Sequence, residues 1–198
     1  MMKSAFTFLP LSALVLLVLV WPLRLEADEA LKNGDFSDGI NHWSGDGEDV
    51  AQAAPDLAPK GMIIKLDPNE WTKAVQEFIP IGTDFTCAIT YKLSPDAQFS
   101  VDEKDYRNVP KHLGYALWKR FRIPKGDWMM MISDFGEKIS GTYFPIKPGP
   151  TPGETETFQT TIGGLETRED KTITLAFPPG QGSVIILNVS MTTSTTGT

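Results

Sequence analysis

One cysteine, Cys87, and two histidines, His42 and His112, are all that this chain of 198 residues offers of the side chains that most often staple or metallate a fold. A lone cysteine excludes an intrachain disulfide framework and a cysteine-rich metal centre. The histidines stand far apart with no partner at ligand spacing, which argues against a histidine-based zinc site. A Gly-x-Ser-x-Gly elbow and a phosphate-binding glycine loop are also missing, so no nucleophile turn or P-loop is written into the chain. With 25 acidic residues some carboxylate pair must arise by chance, so a glycosidase or lyase is a distant reading and no catalytic residue is nominated.

Positive charge is scarce as well. Lys and Arg number 18 and the formal net charge is −7, which disfavours nucleic acid and anionic membranes as partners but is compatible with neutral glycans. Lys3 and the apolar run Phe8–Val20, followed by small Ala27 and acidic Asp28-Glu29, have the order of a secretory signal. Residues 1–27 are therefore expected to be a signal peptide, and the rest to be secreted or held in the cell envelope, periplasmic or extracellular. The alternative is a retained membrane anchor over Phe6–Leu25, the one way a membrane enters. No cysteine follows the run to carry a lipid.

Long amphipathic helices are absent too: Gly or Pro interrupts every helical candidate. What remains is strand-like. Phe85–Leu93 alternates with Cys87, Ile89 and Tyr91 on one face, which makes Cys87 a buried, inert thiol. Further strands are expected at Gly61–Leu66, Trp71–Ile81, Gly114–Ile123, Asp127–Phe135, Lys138–Ile146, Glu156–Ile162, Lys171–Phe177 and Ser183–Met191, with a shorter one at Gln98–Val101. The Trp71–Ile81 and Cys87 strands, joined by Gly82-Thr83-Asp84, are expected to form a hairpin. Ser44–Pro59 reads as loop, and Ser94–Lys111 as an elaborated loop suited to recognition. Eight to ten short strands punctuated by turns predict an all-β sandwich. Its expected extent is residues 28–191 as a single domain, with 192–198 a polar frayed tail.

The richest stretch is Leu31–Trp43, LKNGDFSDGINHW. Asn33-Gly34 and Asp38-Gly39 are turn pairs, and Phe36 and Trp43 are aromatic anchors expected to plug one end of the sandwich. The pattern Asn-Gly-Asp-Phe-x-x-Gly-(x)3-Trp resembles the opening of CenC-like carbohydrate-binding modules, a branch of the galactose-binding-like jelly rolls. The close of the chain, Gly182-Ser-Val-Ile-Ile-Leu-Asn-Val-Ser190, is similar to their final strand, and Lys73–Gln76 through Tyr91 to their second and third strands. The resemblance implies a jelly roll of two antiparallel sheets that binds a polysaccharide or oligosaccharide.

A sugar ring needs an aromatic platform and planar polar groups that form paired hydrogen bonds. Trp118 shares a strand face with Arg120 and Arg122 in GYALWKRFRI, and Tyr115 and Tyr106 border the same strand and loop. These five are the candidate carbohydrate-binding residues. The opposing reading of Trp118 is plain stacking of arginine on indole with no ligand. No cofactor is required. The resemblance implies a structural calcium ion, for which Asp35, Asp38 and Asn188 are the available oxygens, although Ser37 and Asn188 stand where acids are usual. Asn188-Val189-Ser190 also spells a glycosylation sequon, on a strand where modification is not expected. Two functions follow: a non-catalytic carbohydrate-binding module, or a structural or protein-interaction jelly roll at the cell surface without a sugar site.

Overall fold

The computed structural model describes residues 28–45, 49–56, 58, 60–100, 126–134, 141–147, 151–165 and 170–194. Among them there is no α-helix. Twelve strands occur: β1 (Ser44–Gly45), β2 (Val50–Gln52), β3 (Met62–Lys65), β4 (Thr72–Phe78), β5 (Phe85–Leu93), β6 (Gln98–Phe99), β7 (Trp128–Asp134), β8 (Gly141–Ile146), β9 (Thr155–Ile162), β10 (Lys171–Phe177), β11 (Gly180–Gln181) and β12 (Ser183–Thr193). One five-stranded sheet has the order β1-β4-β10-β7-β8 and the other β2-β3-β12-β5-β9, while β6 and β11 form a two-stranded ribbon. Every pairing is antiparallel. The expected all-β jelly-roll sandwich is what forms.

Period-two patterning explains the layers. In β5 the residues Phe85, Cys87, Ile89, Tyr91 and Leu93 are buried and their neighbours half-buried. Cys87 packs its Sγ 3.4 Å from Met130 Sδ of the facing sheet. Burial pushes its thiol up to about 12. Beside it Trp128 stacks on Phe177 at 4.7 Å between ring centroids and meets Tyr91 edge-on at 5.1 Å. These offset and edge-to-face geometries are the favoured ones for aromatic pairs. Trp43 and Phe36 are buried as expected of plugs, and Trp71 joins them.

The expected hairpin between β4 and β5 does not form. β4 pairs with β1 and β10 in one sheet, whereas β5 pairs with β12 and β9 in the other. Both strands bury one apolar face, and crossing between sheets lets those faces oppose each other, which pairing in one sheet would not. Two short strands, β1 and β2, also lie inside the span expected to be loop. Thr192 and Thr193, expected in a frayed tail, are instead paired with Thr86 and Phe85, and Ser194 donates its backbone N–H to Asp84 O at 2.9 Å.

The two sheets differ on their outer faces. On β7 and β10 the outward Met129, Met131, Thr174 and Ala176 are all buried, so this face of the first sheet is covered. The outward positions of β9, Thr155, Thr157, Gln159 and Thr161, are exposed. Beside them run Thr86 and Thr90 of β5 and Asn188, Ser190 and Thr192 of β12. Threonine suits an open strand face because its branched side chain fits the pleat. At the first sheet's edge β8 carries Pro145, a residue that edges tolerate because no ladder bond is lost there.

Leu31–Trp43 closes the sandwich by bonding both sheets. The Gln76 carboxamide of β4 holds Lys32 at both ends of its peptide, with Lys32 N donating at 2.9 Å and Lys32 O accepting at 2.8 Å. Gly34 O accepts from Val189 N of β12 at 2.8 Å. Inside the loop Asn33 acts as a hub: its Nδ2 donates to Gly39 O and Asn41 O, each at 3.0 Å, and its Oδ1 accepts from Asp38 N at 2.9 Å. Asn33, Phe36 and His42 have φ of 49, 54 and 72°, so the turn chemistry reaches beyond the expected glycine positions. Asparagine is among the few residues that adopt this region readily.

A Cβ at Gly34 would collide with Val189 O. Gly34→Ala is therefore expected to destabilise the fold by about 2–4 kcal/mol, since it forces the latch off β12; a urea midpoint indistinguishable from wild type would refute this account. The thiol of Cys87 is expected to stay unreactive toward a disulfide reagent at mildly alkaline pH and to react at once in denaturant, because its raised pKa keeps it protonated and burial keeps it inaccessible.

Candidate functional site

Three loops converge at the end of the sandwich where β10 leaves the first sheet. Pro178-Pro179 stops β10, and Gly180-Gln181-Gly182 then passes hard against the β5–β6 loop. A Cβ at Gly180 would strike Gln98 O, and Gly182 has φ of 77°, so glycine is needed at both positions. Register places Gly180 opposite Phe99 and Gln181 opposite Gln98. Ser100 N donates to Pro179 O at 2.6 Å, and Gly180 N to Asp67 O at 2.8 Å. The Asp67 carboxylate in turn accepts from Asn69 N at 2.6 Å and Glu70 N at 2.9 Å, setting the turn that carries Pro68.

The result is an open pocket of about 200 Å³ lined by Pro68, Gln98, Phe99, Ser100, Gly180 and Gln181. Among the described residues no ionisable side chain lines it. Gln98 and Gln181 are exposed, Phe99 and Ser100 half-buried. Each carboxamide offers a planar donor–acceptor pair, and Phe99, half-buried against the core, adds apolar surface to the lining. Such a set can recognise a neutral polar molecule.

The sequence-nominated residues Trp118, Arg120, Arg122, Tyr115 and Tyr106 lie outside the described residues. Among the described tryptophans, Trp43, Trp71 and Trp128 are all buried, so none of them is an exposed platform. The Ser94–Lys111 loop was expected to serve recognition, and Gln98–Ser100 of the pocket belong to it. Sequence reasoning missed Gln181, and Gln98, Phe99 and Ser100 as individuals. The available signal was the Pro-Pro-Gly-Gln-Gly turn, whose two glycines announce a close backbone approach with one carboxamide at its tip.

The calcium set can be tested against the geometry. Asp35 accepts from Ser37 Oγ at 2.9 Å and Ser37 N at 3.2 Å, bonds that hold its carboxyl below the usual value, with Lys60 a lesser contributor at 3.9 Å. Asp38 accepts from Asn41 Nδ2 at 2.8 Å. Asn188 sits in β12 opposite Thr90. Among the described residues no group of three or more His, Cys, Asp or Glu could hold a metal ion. Calcium prefers six or more oxygens, several of them anionic, and this set brings two carboxylates, each already bonded by a neighbour in the loop. His42 lies exposed in the opening turn.

No protein-family model and no curated protein matches this chain. Solved structures do match its fold. A CBM61 module in complex with β-1,4-galactotriose superposes with a TM-score of 0.53 at 15% identity, covering 85% of this chain and 100% of its own. A family 16 carbohydrate-binding module gives 0.52 at 12% identity, over 82% of this chain and 98% of that one. The CBM22-1 xylan-binding domain of Paenibacillus barcinonensis Xyn10C gives 0.51 at 7% identity, over 84% and 94%. The class defined by the fold is thus the jelly-roll β-sandwich seen in carbohydrate-binding modules. At these identities the likeness is one of fold, and the narrower CenC-like membership is not established by it.

With two carboxylates in the set, both already hydrogen-bonded within the loop, the melting temperature is expected to be the same, within about a degree, in millimolar calcium and in chelator; a rise of several degrees with calcium would show that a site assembles.

Proposed function

We propose that this chain is a non-catalytic carbohydrate-binding module whose rim pocket takes part of a neutral oligosaccharide or polysaccharide. In this reading residues 1–27 direct export and are removed, and one sandwich runs from residue 28 to the end of β12, outside the cytoplasm. No metal is required. The observation that carries the reading is the pocket of about 200 Å³, uncharged among the described residues and lined by Gln98, Gln181 and Phe99, on a fold shared with modules described with galactotriose and with xylan. Sugar hydroxyls come in adjacent pairs that a carboxamide can bridge with two hydrogen bonds, and the C–H face of the ring packs on an aromatic. A pocket of this size holds about one ring, so the longer part of a chain would lie on neighbouring surface, where Trp118, Arg120, Arg122, Tyr115 and Tyr106 remain the proposed further contacts.

The second reading, a jelly roll used for protein interaction without a sugar site, is favoured by one observation. Among the described residues Ile79 and Ile81 are the exposed large hydrophobic ones, and the described tryptophans are all buried.

Affinity electrophoresis or a glycan array across plant, algal and bacterial polysaccharides separates the two. Retention by a neutral glycan should weaken about tenfold in Phe99→Ala, the scale of one lost aromatic contact, and comparably in Gln181→Ala. Trp118→Ala reports on the surface beyond the pocket. Absence of retention on every glycan would leave the interaction reading standing, and retention untouched by Phe99→Ala would move the site away from the rim pocket.

A further inference from the structure

At the opposite end of β4 from the rim pocket lies a groove of about 440 Å³ that the sugar reading does not use. Its floor includes Leu31 and Phe78, both buried, and its lip carries Ile79 and Ile81, exposed to 57% and 54%. Pro80 between them is buried, which fixes the crossover from β4 toward β5 while both isoleucines face solvent. Isolated exposed apolar residues are ordinary on any surface; two on one short crossover, continuous with a buried apolar floor, form a patch of the kind that marks an interaction site.

The walls of this groove are held in place. On one side, residues 28–32 are fastened to β12: Ala30 N donates to Met191 O at 2.8 Å, Met191 N donates to Glu29 Oε1 at 2.6 Å, and Glu29 bridges Thr192. The same strap is pinned to β4 by the two bonds between Gln76 and Lys32. On the other side stands the end of β4 itself. The groove is therefore bounded by two extended segments and needs no ordering before it is filled, which lowers the entropic cost of binding.

Its charge is asymmetric. Among the described residues Glu29, Glu77 and Asp170 line it against the single cation Lys32, and all four are exposed. A second copy of this chain would bring the same carboxylates against one another, and an anionic membrane would be repelled. Both alternatives are opposed by the charge, whereas a cationic partner is attracted by it.

We propose that this groove binds an extended peptide segment of another protein, with aliphatic side chains alternating with lysine or arginine. The aliphatic side chains pack on Leu31, Phe78, Ile79 and Ile81, and the basic ones pair with Glu29, Glu77 and Asp170. The inference is independent of the sugar site, which lies at the other end of the sandwich.

The test uses fluorescence anisotropy with the capped, labelled peptide Gly-Lys-Ile-Thr-Ile-Lys-Gly at low salt. Wild-type protein should bind it, and added salt should weaken binding. Ile79→Ser with Ile81→Ser should reduce affinity at least tenfold, and so should Glu77→Gln with Asp170→Asn. All four side chains are exposed, so both double variants should keep the wild-type melting curve and glycan retention. A peptide with glutamate in place of lysine, or serine in place of isoleucine, should not bind. The proposal fails if wild type does not bind, if either double variant binds as tightly as wild type, or if the glutamate peptide binds equally. Sedimentation showing a dimer lost in the isoleucine variant would assign the groove to a second copy, and selective binding to phosphatidylcholine vesicles would assign it to a membrane; each overturns the peptide proposal.

Discussion

The sandwich depends on one device that joins its two sheets outside the core. Gln76, buried on β4, bonds the strap at Lys32 through both atoms of its carboxamide, and two residues on, Gly34 meets the backbone of Val189 in β12. Packing alone resists separation of the sheets but leaves their relative sliding soft. A directional bond to each sheet from one short segment removes that freedom. A buried carboxamide also carries a large penalty when unpaired, so the strap and β4 stabilise each other reciprocally. Phe36, seated between Gly34 and Trp43, then finds a fixed hole to fill, and its ring lies 5.9 Å from that of Trp43.

Both proposed binding surfaces inherit this rigidity at opposite ends of β4. Before its first residue, the Asp67 turn and the Pro-Pro-Gly-Gln-Gly segment meet around Phe99. Beyond its last, the strap and the Ile79–Ile81 crossover enclose the acidic, apolar-lipped groove. The chemistry of the two ends differs. Among the described residues one is uncharged and presents planar amides, which suits a neutral hydroxylated ligand; the other combines carboxylates with aliphatic surface, which suits a basic polypeptide. The outer face of the first sheet is covered, with Met129 and Met131 buried, whereas both proposed surfaces lie open at the ends of β4.

Much of the strand pattern was legible in the sequence because it follows a local rule. Alternation in Phe85–Leu93 and Lys171–Phe177 predicts strands with one buried face, and each is found within a residue of its expected bounds. Burial of Cys87, Phe36 and Trp43 was readable for the same reason: each sits where its periodicity or its neighbouring turn points inward. The partner of a strand is not encoded locally. β4 and β5 are adjacent in sequence and alternate compatibly, yet they belong to different sheets, since pairing is decided by which faces must oppose one another across the core.

The site divides along the same line. The Ser94–Lys111 loop could be singled out from composition, because polar, aperiodic sequence between strands must run over the surface. Gln98 and Gln181 could not be joined without the fold, because 83 positions in the chain separate residues that the β6–β11 ribbon places opposite each other. Likewise Ile79 and Ile81 read as ordinary members of a strand, and only the crossover turned them outward beside Glu29 and Asp170. By itself the sequence determined the class of fold, the inert thiol and the latch of turns after residue 31, all properties of near neighbours. The tertiary structure alone decided strand partners, the uncharged rim pocket and the acidic groove, since each depends on contacts between segments that no local periodicity relates.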